Sequence, residues 1–237
     1  MSDSHKSESM QKHENYIDEE CVAVVVELLD ERSSEPAIER RAKLLDLARR
    51  KAVECVERTP NSAESNYLAG QVSYDSFCDD EKYGAAAESF LTRAIALDPN
   101  HQFARMFLGH YYYDTARYGQ ALECFQKIDE DYFTSIPQRW RVLKLHELIL
   151  CCQVFLESSE VTEQDFEKLA VEFVSANPDD VLPPWELISA LQKSVGGPIW
   201  TFLDASRIKR LISDMVAKLD ISDRFREDAS NALSQIK

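Results

Sequence analysis

Apolar residues return every three or four positions along most of this chain, the spacing of helices that bury one face. Ile17, Cys21, Val24, Val25, Leu28 and Leu29 form one such stripe and predict a helix over 16–31. The valine-rich run 22–26 also suits a strand, but the acidic Asp18-Glu19-Glu20 before it fits the positive end of a helix dipole and favours helix. Ile38, Ala42, Leu45, Ala48, Ala52 and Cys55 predict a second helix over 37–58, begun by Pro36. Similar patterns predict helices at 62–77, 83–97, 102–115, 118–130, 138–156, 163–175, 185–193, 204–219 and 222–235. Thr162 and Ser222 are placed to cap two of them, and Gly196-Gly197-Pro198 breaks the chain between two others.

The pattern also repeats. Pro60-Asn61, Pro99-Asn100 and Pro178-Asp179 each follow a helical stretch. Pro60 to Pro99 and Gly70 to Gly109 are both steps of 39 residues, and Ala87 to Ala121 is a step of 34. Gly70-Gln-Val-Ser-Tyr74-Asp75 runs parallel to Gly109-His-Tyr-Tyr-Tyr113-Asp114. A glycine inside a helix costs about 1 kcal/mol relative to alanine, so each of these marks a close approach between helices. Ala121 is the small residue expected opposite Gly109.

Leu108-Gly109, Tyr112, Ala121 and Phe125 together resemble the tetratricopeptide repeat (TPR), whose pattern is Leu-Gly-x2-Tyr, then Ala-x3-Phe, then a junction proline. The resemblance implies an all-α fold, a right-handed α-solenoid of TPR-like helical hairpins with N- and C-terminal capping helices. Residues 1–15 are expected to be a disordered tail and 16–60 a degenerate leading repeat. Two repeats follow over 61–135, the first with about five extra residues in its turn near 76–83. Residues 136–180 form a third, divergent pair, and 181–237 the capping helices. One hairpin cannot hide its apolar face alone, so such repeats must stack.

The formal charge of −15 disfavours nucleic acid, which wants a basic face. No run reaches the roughly 18 apolar residues of a membrane span, and 1–15 lacks the apolar core of a signal peptide. A cytoplasmic protein is expected, with no membrane partner. The six cysteines show no C-x2-C spacing and are expected to be reduced. The basic cluster of Arg40, Arg41, Lys43, Arg49, Arg50 and Lys51 reads as a solvated helix face.

No signature of a nucleophile elbow, phosphate loop or zinc helix is present, and no catalytic residue, cofactor or metal is expected. In the TPR family the first helix of each hairpin lines the inner face and carries ligand contacts. Carried over through the two glycines, the resemblance implies partner-binding residues Glu64, Tyr67, Gln71, Tyr74 and Asp75, then Phe103, Met106, His110, Tyr113 and Asp114. A third set is Trp140, Lys144 and Glu147. Asp75 and Asp114 would suit lysine or arginine on a partner. The expected function is a non-catalytic protein-protein interaction module or scaffold that binds a protein or peptide, with a basic one matching the charge, in an acidic, aromatic groove. The alternatives are an inhibitor or immunity-type protein for a basic toxin or enzyme, a structural subunit, and an enzyme with a site near Trp185, Trp200, Lys209 and Arg210.

Overall fold

A computed structural model describes residues 18–236. The expected tail at 1–15 and the start of the first predicted helix lie outside the described residues. Within them the secondary structure is helical throughout, with twelve α-helices, three short 3-10 turns and no strand. The chain divides into two compact units, 1–115 and 116–237. The division falls inside the stretch 61–135 and at the predicted turn of the second hairpin.

The first unit holds α1 (Glu19–Ser34), α2 (Ile38–Arg58), α3 (Ala63–Phe77), α4 (Gly84–Leu97) and α5 (Gln102–Asp114). Asp18 and Ser62 cap α1 and α3 by accepting from the backbone N–H of Cys21 and Ser65. Helices α1 and α2 pack as a pair, and so do α3 and α4. A 3-10 turn, Glu81–Tyr83, takes up the extra residues between α3 and α4. Gly70 shows why α3 and α4 approach so closely. A methyl group built there would meet Leu91 Cγ at 2.6 Å, its Cδ2 at 2.7 Å and its backbone N at 3.0 Å. Helix α5 packs against both α3 and α4.

One expectation about the cysteines is corrected. Cys21 and Cys55 are joined by a disulfide that links the first turn of α1 to the last turn of α2. The pair therefore runs antiparallel, and Arg58 at the end of α2 meets Asp18 at 3.3 Å to the same effect. Cys78, Cys124, Cys151 and Cys152 are not disulfide-bonded, and the last two are buried. The basic residues of α2 largely face local carboxylates: Arg40 pairs with Glu31 and Glu35, Arg49 and Arg50 with Asp46, and Lys51 with Glu54.

The second unit contains α6 (Tyr118–Phe125), α7 (Glu130–Ser135), α8 (Trp140–Phe155), α9 (Glu163–Ser175), α10 (Trp185–Lys193), α11 (Ala205–Lys218) and α12 (Asp223–Ser234). Helix α8 is its hub and packs against α6, α7, α9 and α10; α11 packs on α9, and α12 on α10 and α11. Phe133, Leu145, Leu148, Phe166, Phe173, Leu187 and Leu191 are fully buried. The single helix predicted over 118–130 is two. It stops at Phe125, and a new one starts at Glu130 because the Asp129 side chain accepts from the Asp131 N–H. The predicted caps stand: Thr162 and Asp165 form a reciprocal capping box, and Ser222 accepts from Phe225 N–H.

Candidate functional site

The predicted partner-binding residues of the first unit lie on α3 and α5, where those helices meet. An aromatic row follows the contact. Tyr67 lies 4.7 Å from the His101 ring and 5.9 Å from both Phe103 and Phe107. Tyr74 lies 5.8 Å from Phe107, edge-on, and 6.4 Å from His110. Rings at these separations attract one another beyond the area they bury. His101 also fixes the start of α5, since its Nδ1 accepts from Ala104 N–H at 3.1 Å. In the neutral ring Nε2 then carries the proton and points at Glu64 Oε2, 3.2 Å away.

At the other end of the row, the Tyr74 hydroxyl donates to Asp114 Oδ2 at 2.6 Å. Burial, reinforced by the Asp114 carboxylate, raises the Tyr74 phenol well above its ordinary range. Arg32 of α1 donates to Asp75 Oδ2 at 3.0 Å. Burial raises the Asp75 carboxyl, and the Arg32 guanidinium pulls it partly back. These contacts correct the expectation that both aspartates stand ready for a partner. Asp75 already holds a basic side chain, and Asp114 holds a phenol. Tyr67 and Met106 are buried, which corrects their expected place on a partner-binding surface, whereas Glu64, Gln71, Phe103, His110 and Tyr113 are half-buried and Asp114 is exposed. Sequence reasoning missed His101 and Phe107. Phe107 was readable, because it follows Phe103 by one helical turn and shares its face.

The third predicted set belongs to the second unit. The Trp140 ring lies under the Arg141 guanidinium at 4.4 Å. Glu147 is fully buried, which removes it from any docking surface. Its Oε1 accepts from Leu187 N–H at 3.0 Å, and its Oε2 lies 3.0 Å from Lys144 Nζ. Lys144 also pairs with Glu186. The role of Glu147 is structural. Helix α10 has no capping side chain of its own, and Glu147 supplies one from across the interface with α8. Burial raises the Glu147 carboxyl to about 7, with Lys144 holding it down and Glu186 pushing it further up. Burial lowers the Lys144 ammonium, but the two glutamates outweigh it and the net shift is upward.

His146 bridges three helices. Its Nε2 lies 3.0 Å from Glu130 of α7, and its Nδ1 lies 2.8 Å from Glu172 of α9. It forms a shared wall of two clefts, of about 410 Å³ beside Arg139 and Asp180 and about 240 Å³ beside Asp165 and Lys168. Burial lowers its basicity, but the hydrogen bonds to Glu130 and Glu172 outweigh burial and raise it. With both nitrogens engaged, the ring is built as a latch between helices. A raised histidine stabilises the fold below its unfolded value near 6.5 and loses that contribution as pH rises through the folded value. His146→Gln should therefore be less stable than the parent by about 1–2 kcal/mol at pH 6. The two should converge as pH rises above the folded value, as read by urea unfolding across pH. A gap that stays constant with pH would contradict the latch.

Three of the four residues of the alternative C-terminal site are used within the fold, and Arg210 is exposed. Trp185 packs edge-on against Phe225 at 4.3 Å, Trp200 Nε1 donates to Ser194 O at 2.8 Å, and Lys209 Nζ donates to Ile236 O at 3.1 Å. Among the described residues no cluster of three or more histidine, cysteine or acidic side chains could hold a metal ion, and no helix is long and apolar enough to cross a membrane. Compared with known proteins, the chain matches no family model, no curated protein and no solved structure.

Proposed function

We propose that this chain is a TPR-like helical-repeat protein and a non-catalytic interaction module, with the α3–α5 face of its first unit as the docking surface for a basic protein or peptide. The observation that carries the reading is the half-buried aromatic row Phe107–Tyr74–His110, backed by buried Tyr67 and bordered by Glu64 and Asp114. Rings already packed against one another lose little entropy when a partner covers them, which suits them to binding. Glu64 and Asp114, engaged by His101 and Tyr74, add negative charge beside the rings that favours lysine or arginine on a partner. The repeat and its solenoid stacking rest on the parallel texts around Gly70 and Gly109 and on the close approach of Gly70 to Leu91. We place the protein in the cytoplasm, with no nucleic acid, membrane or cofactor in its function.

The test is fluorescence anisotropy with a short labelled peptide of alternating arginine and tryptophan. Binding is expected at low salt and should weaken by about tenfold or more as salt rises from about 50 to about 500 mM, because screening shortens the reach of the carboxylates. The double variant Tyr74→Ala, Tyr113→Ala should lose it. Unchanged binding by that variant would move the site elsewhere.

A further inference from the structure

The contact between Arg32 and Asp75 has the form of the contact proposed for a partner. A guanidinium 3.0 Å from a largely buried carboxylate sits at the end of α3, beside the aromatic row. That guanidinium comes from α1, the helix of the first unit with the weakest hold on its core. Only Cys21 and Val25 of α1 are buried, whereas α2 buries five residues and α3 nine. Four of its sixteen residues are valines, which are weak helix formers, and Val24 and Val26 point outward. Besides its packing along α2 and the Asp18–Arg58 and Glu31–Arg40 pairs, α1 is tied down by the Cys21–Cys55 bond at one end and by Arg32–Asp75 at the other.

We infer that α1 is a redox-latched strap whose Arg32 occupies the place of a partner's basic side chain, so that opening the disulfide uncovers Asp75 for that partner. The identity of the partner group, an arginine or lysine, rests on the proposed docking surface, and the reducing surroundings rest on the proposed cytoplasmic location; the release of α1 once the bond is reduced rests on neither. Such a bond is unusual as a permanent feature in a reducing compartment, and a cytoplasmic chain would form and break it reversibly. The chemistry balances with a dithiol as reductant. One of its thiolates attacks a sulfur of the bond and expels the other as a thiolate. Its second thiol then resolves the mixed disulfide. Cys21 and Cys55 end as two thiols, and the reductant ends as a disulfide. Both cysteines are buried, so a reductant reaches the bond when the first turn of α1, which carries Cys21, opens locally.

The experiment compares hydrogen exchange of the full chain before and after treatment with dithiothreitol, and in the Cys55→Ala variant. Exchange over 19–34 is expected to rise by about tenfold or more in the reduced protein and in the variant, while α4 over 84–97 keeps its protection. The alternating arginine–tryptophan peptide should bind the reduced protein, and Arg32→Gln, several-fold more tightly than the oxidised parent. Asp75→Asn should abolish that gain. Unchanged protection over 19–34, loss of protection spreading into 84–97, or a bond that survives dithiothreitol under native conditions would each overturn the strap. Absence of peptide binding in every form would instead overturn the docking surface and leave the exchange result to decide the strap.

Discussion

Lys144→Met should destabilise the second unit by about 3–5 kcal/mol at pH 9 and by about 1 kcal/mol or less at pH 5. The reason is Glu147. At alkaline pH its carboxylate is ionised, fully buried and held by Lys144 and the Leu187 N–H. Removing the ammonium leaves a buried charge with one backbone donor, and losing one partner of a buried pair is among the most damaging changes a core can suffer. At pH 5 the carboxyl, raised to about 7 in the fold, is already protonated, so there is little charge to strand. The sign in the parent follows the same way. A carboxyl raised in the folded state binds more protons there than in the unfolded chain between about 4.5 and 7, so its contribution to stability falls as pH rises through that window. Thermal melts of parent and variant across pH measure both effects. Lys144→Met with Glu147→Leu should recover most of the loss, short of about 1 kcal/mol for the unpaired Leu187 N–H. A Lys144→Met loss that does not depend on pH would mean that Glu147 is not the group responsible.

The second large effect is expected at Gly70. Gly70→Val should cost about 3 kcal/mol, because the new side chain meets Leu91 and the backbone of α4 well inside contact distance. The better helix propensity of valine recovers only a fraction of that. Gly119 in the first turn of α6 provides the contrast, since nothing lies within 4 Å of a methyl group built there. Gly119→Ala should be neutral or stabilise by about 0.5 kcal/mol by restricting the unfolded chain. Chemical denaturation of both variants reads the difference. Equal effects at the two glycines would contradict the close packing of α3 on α4.

Much of the helical layout was legible because it is written locally. Apolar spacing marked nearly every helix, and Ser222 and Thr162 marked two starts through side chains that reach only three residues along the chain. The break between α6 and α7 was missed although its signal was present: Asp129-Glu130-Asp131 is an N-cap followed by an acidic first turn. The site was legible as a set of residue types but not as a set of contacts. Arg32 meets Asp75 across 43 positions and Tyr74 meets Asp114 across 40. Glu147 caps a helix 40 positions away. No periodicity specifies such pairs, because packing of whole helices decides them. The Cys21–Cys55 bond is the same case, since cysteine spacing alone does not give connectivity.

The most direct test of the docking surface is an amide NMR titration of the intact chain with the alternating arginine–tryptophan peptide, in oxidised and reduced forms. Shifts should concentrate in 64–75 and 103–114, the segments that carry the aromatic row, and grow on reduction. Shifts confined to residues beyond 116, or none at saturating peptide, would show that the face between α3 and α5 is a packing seam and not a place of recognition.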